Sequence, residues 1–97
     1  MSFSQQKHVL RFSPFLEQLN RRHPEWLENL HTGGRLEKTS PPRADELASL
    51  VQTAGIDTAL RCYRNREMMR LIWRDLNNLA PVDEILADLS TLADVCL

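Results

Sequence analysis

From Asp57 to Asn78 the chain runs for about six helical turns without a glycine or proline. Leu60, Tyr63, Met68, Leu71, Ile72, Leu76 and Leu79 recur there mostly at steps of three and four. That spacing lines apolar side chains along a helix and rules out a strand, whose faces alternate every second residue. Asp57 stands as the expected N-cap, and Pro81 marks the end of the segment or the start of the next. An isolated helix in water is marginal, so this one needs other helices to cover its apolar side.

The rest of the chain is punctuated for that purpose. Ser13-Pro14 pairs a capping hydroxyl with a proline whose missing N–H costs nothing at the first helical position. Phe15, Leu16 and Leu19 then share a face. His23-Pro24 restarts the chain, and Trp26, Leu27 and Leu30 form a stripe that stops at Gly33-Gly34. Ala44, Leu47, Ala48, Leu50 and Val51 make a further stripe closed by Gly55, and Val82, Ile85, Leu89, Leu92 and Cys96 follow at steps of 3, 4, 3 and 4. Residues 35–42 show no period and end in Ser40-Pro41-Pro42, which reads as a loop. The expected fold is all-α, a bundle of about five helices in one domain or subdomain. Helices are expected near 3–11, 14–22, 24–31, 43–54, 58–78 and 82–96, with a loop over 32–42.

At 97 residues there is room for one small domain. No 18-residue apolar run is present, so no membrane span is expected, and the N-terminus lacks the apolar core of a signal peptide. With Cys62 and Cys96 far apart, neither a disulfide framework nor a zinc site is expected; both read as packed thiols in a cytoplasmic protein. A net charge of −1 weighs against nucleic acid as a partner. His23 and His31 fall at helix ends without metal-ligand spacing, Trp26 and Trp73 read as packing residues, and no catalytic constellation emerges.

The charges are nonetheless unevenly placed. Residues 57–79 carry five arginines against three acids, a net of +2, whereas residues 80–97 carry four acids and no base, a net of −4. Side-by-side packing of the two helices would satisfy both. Arg66, Arg70 and Arg74, with Asn77, fall within about 80° of one another on the longest helix, on the side away from its apolar residues. Three planar bidentate donors suit carboxylate or phosphate, so this stripe is either a solvated face or a docking face for a partner or neighbouring domain. The spacing of Val82, Ile85, Leu89, Leu92 and Cys96 is that of a seam seeking a partner helix, and self-association through it is expected.

Two blocks resemble a known family. "SPFLEQLNRRHPEWLENL" (13–30) is similar to a segment near the start of the bacterial glutamine synthetase adenylyltransferases. "ALRCYRNREMMRLIWRDL" (59–76) resembles that family's Leu-Arg-x-(Phe/Tyr)-Arg helix, and "ILADLSTLAD" the helix after it. The resemblance implies a large cytoplasmic parent with two nucleotidyltransferase domains, of which one removes AMP from a tyrosine of glutamine synthetase by phosphorolysis and the other attaches it from ATP. It implies Mg²⁺ and ATP for the parent, with glutamine and the PII signalling protein setting the direction and so controlling nitrogen assimilation. The family's glycine-rich turn and Asp-x-Asp pair do not occur in these 97 residues. On this reading the chain is an N-terminal fragment of the deadenylylating domain that supports the catalytic core, with no catalytic, cofactor or metal residue of its own. The alternative is a free-standing helical protein-interaction module.

Overall fold

The computed structural model describes residues 3–38 and 41–96. The elements in chain order are α1 (Phe3–Gln6), which tightens into a 3₁₀ helix (Lys7–Phe12), then α2 (Pro14–Arg22), α3 (Pro24–Thr32), α4 (Ala44–Ala54), α5 (Ile56–Leu76) and α6 (Val82–Cys96). No strand occurs among the described residues, so the fold is all-α. The expected single first helix is divided into α and 3₁₀ turns.

Local chemistry accounts for most boundaries. Ser13 accepts a hydrogen bond from the Leu16 amide at 3.2 Å, capping α2 with Pro14 just inside it. His23 takes the N-cap position of α3 but makes no capping bond, and its ring stacks on Trp26 at 3.9 Å instead. Asp57 is not the cap of α5. Gly55 fills that position and also ends α4, at φ 83° and ψ 161°, a conformation that side-chain-bearing residues avoid. Asp57 lies two residues on, within the first turn, where its charge favours the helix N-terminus.

Helix α5 is the axis of the bundle and packs against α2, α3, α4 and α6. One apolar cluster joins Val9, Leu16, Leu19, Leu27, Leu30 and Leu36 to Met69 and Trp73 of α5. A second joins Leu47, Ala59, Tyr63 and Leu92. Part of the expected loop is thus core: Gly34 at φ 74° turns the chain back, the Arg35 amide donates to Leu30 O at 3.0 Å, and Leu36 is buried beneath. The Ser40 end of that loop lies partly outside the described residues. Neither cysteine is fully packed; Cys62 and Cys96 are half-buried free thiols. No helix among the described residues is long and apolar enough to cross a membrane.

Candidate functional site

The arginine stripe of α5 faces inward. Ala59, Tyr63, Glu67, Arg70 and Arg74 step along the helix at intervals of four, four, three and four, and all are buried. Arg70 is 0 % and Arg74 2 % exposed, so neither is free to meet a partner, and the expected open docking face of Arg66, Arg70 and Arg74 does not exist as a unit. The reason is tertiary. With neighbours on several sides, the Arg70–Arg74 side of α5 is covered, and carboxylates from α6, with Glu67 of α5 itself, meet the guanidiniums.

The result is a chain of ion pairs through the bundle. Arg35, in the turn after α3, reaches Glu46 of α4 at 3.2 Å and grips both oxygens of Glu67 at 3.1 and 3.2 Å. Glu67 in turn lies 3.5 Å from Arg70 Nε one turn along, and Arg70 Nη2 donates to Asp88 Oδ2 of α6 at 3.2 Å. Arg74 holds Glu84 of α6 at 2.7 Å and donates to the carbonyls of Leu36 at 3.0 Å and Leu79 at 3.3 Å. Arg74 therefore ties the α3–α4 connection and the α5–α6 turn to one side chain. Tyr63 extends the network: its hydroxyl accepts from the Arg43 amide at 2.8 Å and faces acceptors on Glu46 at 3.1 Å and Arg43 O at 3.3 Å.

Electrostatics follow burial. Withdrawal from water pushes the Glu67 carboxyl above its ordinary range, against the pull of Arg70 and Arg35 beside it. The Tyr63 phenol is raised above the ordinary tyrosine value, chiefly by burial and further by Glu67 and Glu46. Burial also raises the Cys96 thiol, which disfavours a reactive thiolate. Among the described residues Arg70 Nη1 and Trp73 Nε1 are buried without a hydrogen bond.

The remaining expected residues scatter. Arg66 is half-buried beside a pocket of about 160 Å³ that Trp26, Asn29, Leu30, Arg35 and Glu67 also line. Asn77 ends α5, and its amide donates to Trp73 O at 3.1 Å. The seam on α6 is divided: Leu92 is buried, Ile85, Leu89 and Cys96 are half-buried, and Val82 is 64 % exposed. It is not one open face, because its Leu92 side already packs against the cluster holding Tyr63 and Leu47. His31 stacks on Phe3 at 4.0 Å. Among the described residues no group of three or more His, Cys, Asp or Glu side chains is set to hold a metal ion. Residue spacing did not single out Arg35, Glu46, Glu84 and Asp88 as members of this network; for the α6 acids the opposite net charges of α5 and α6 were the available signal.

Comparison with known proteins gives the family of the chain. The family model described as glutamate-ammonia ligase adenylyltransferase matches residues 3–97. A bifunctional glutamine synthetase adenylyltransferase/adenylyl-removing enzyme from Shewanella frigidimarina is 40 % identical over 91 residues, covering 89 % of this chain and 10 % of its own length. Proteins of the same description from Shewanella loihica and Nitrosococcus oceani are 34 % and 35 % identical, covering 94 % and 78 % of this chain and 10 % and 8 % of their own. The chain therefore spans about a tenth of the length of the curated relatives it matches. No solved structure gives a significant match. With the family model matched over nearly every residue, the chain belongs to the glutamate-ammonia ligase adenylyltransferase family.

Proposed function

We propose that this chain is the N-terminal helical segment of a bifunctional enzyme that adds AMP to, and removes it from, a tyrosine of glutamine synthetase. Its own work is to brace the deadenylylating catalytic core. The observation that carries this reading is the ion-pair chain from Arg35 through Glu67 and Arg70 to Asp88, in a segment matched to the family from residue 3 to residue 97. Those charges are directed at other elements of the same bundle, which suits a support whose shape is set before it meets the rest of the enzyme. The parent, on this reading, is a cytoplasmic nucleotidyltransferase that uses Mg²⁺ and ATP held outside this segment, and responds to glutamine and PII protein.

The test uses the full open reading frame. The whole protein should release AMP from adenylylated glutamine synthetase in the presence of phosphate and attach AMP in the presence of ATP and Mg²⁺, whereas residues 1–97 alone should do neither. Activity in the 97-residue chain would overturn the bracing role. Arg70→Glu cannot probe docking, because Arg70 is internal; Arg66→Glu, on the pocket rim, is the informative change. The exposed Val82 and Leu86 also suit a free-standing interaction module. An open frame that ends at Leu97 would favour that second reading.

A further inference from the structure

The apolar surface of α6 is wider than its buried side. Val82, Leu86, Leu89 and Ala93 fall within about 60° of one another on the helix, and this stripe turns away from the core. Val82 is 64 % and Leu86 56 % exposed, Ala93 is exposed and Leu89 half-buried. The stripe runs into a groove of about 200 Å³ between α5 and α6, lined by Met68, Leu89, Leu92, Ala93 and Cys96, with Arg64 at its edge. Contiguous exposed apolar surface on a small domain marks an interaction site.

The charges beside the stripe say what kind of surface fits. On the α5 side, Arg61 and Arg64 are exposed and lie within about 60° of Met68 on the helix. Neither has an ion-pair partner among the described residues, unlike Arg70 and Arg74. On the far side, Asp83 and Asp94 stand exposed on one flank of α6 and are likewise unpaired. A helix laid along this surface therefore meets bases on the α5 side at its Cys96 end and acids on the other flank. A second copy of α6 fits poorly in the antiparallel arrangement, since like flanks then meet and Asp83 faces Asp94 of the mate.

Resting on the reading above, we propose that this stripe and groove seat an amphipathic helix from the remainder of the parent enzyme. That helix carries carboxylates along the edge facing Arg61 and Arg64. From Val82 to Cys96 the track is about 21 Å long, room for about four turns of a helix anchored at i, i+3, i+4 and i+7.

The experiment is thiol labelling of the full-length protein with a maleimide, read at each site by peptide mass spectrometry. Leu86→Cys should react at least about tenfold more slowly than Ala87→Cys, one residue on but on the solvated flank, because a covered thiol reacts only when the interface opens. Val82→Cys should repeat the protection if Leu86→Cys proves unstable. Arg64→Glu should restore labelling at Leu86→Cys, and Arg11→Glu, exposed elsewhere, should not. Equal rates at the two positions would overturn the proposal. Protection unaffected by Arg64→Glu would overturn the acidic edge, and protection lost on dilution would replace the parent helix with a second copy. AMP removal from glutamine synthetase, assayed on the same protein, separates the two readings. Activity without protection sinks this surface alone, and protection without activity sinks the enzymatic reading alone.

Discussion

Removing the Asp88 carboxylate should damage this bundle more than any change to its exposed acids. Asp88 is buried on α6 and is the α6 carboxylate that meets Arg70, which has no solvent exposure at all. At 3.2 Å and an effective dielectric of about 20, the attraction between them is about 5 kcal/mol before desolvation is counted. Asp88→Ala leaves a guanidinium buried beside Glu67 alone, and breaking such a pair costs about 3–5 kcal/mol. A domain of this size has about 5–15 kcal/mol of stability in total. Thermal unfolding followed by far-ultraviolet circular dichroism should therefore show a midpoint lower by about 12 °C or more. The companion variant combines Arg70→Met with Asp88→Leu. It should recover most of the loss, since a well-packed apolar pair often equals or exceeds the ion pair it replaces. Glu67 keeps Arg35 in that background. A loss under about 1 kcal/mol for Asp88→Ala, the range of solvated surface pairs, would refute the claim that this network is internal.

Three further outcomes follow from the same geometry. Tyr63 is the sole tyrosine, so the tyrosinate absorbance band reports it alone; its raised native pKa means the native state keeps the proton longer than the unfolded chain does. Its contribution is thus fully present below the ordinary value of 10.0 and is lost as the pH climbs past it, so the band should appear together with unfolding, and Tyr63→Phe should not show this alkaline loss. Gly55→Ala should cost about 1–3 kcal/mol in urea unfolding from backbone strain alone, because nothing lies within 4 Å of the added methyl. Leu36→Ala should cost about 2–4 kcal/mol although it sits in an irregular turn, and a surface-like value below about 0.5 kcal/mol would remove Leu36 from the core.

Helix existence and the order of the helices were legible in the residues because their signals are local. Ser13-Pro14, His23-Pro24 and Gly55 act on backbone torsions within one turn, and the three- and four-residue steps of Leu, Met and Ile need no knowledge of the partner. The family resemblance was legible for a similar reason, resting on two contiguous blocks. The opposite net charges of α5 and α6 pointed to pairing between the two helices, though not to which side chains would pair; the structure uses Arg70 with Asp88 and Arg74 with Glu84. Some boundaries failed where two local signals competed: Asp57 is a good capping residue, but Gly55 alone tolerates the torsions that join α4 to α5 directly.

What only the tertiary structure decided is which side of each helix is inside. On a helical wheel, Arg66, Arg70 and Arg74 read as the wet side because they lie away from the leucines. That inference assumes one covered face, and α5 has neighbours on several. The partners that make burial of its charges tolerable are remote, with Glu84 ten residues from Arg74, Asp88 eighteen from Arg70 and Arg35 thirty-two from Glu67. Leu36 followed the same rule, a lone leucine without periodicity that is core because the Gly34 turn folds it under α5. Periodicity reports an element's own shape; how many neighbours enclose it, and with what charges, is set only when the chain is packed.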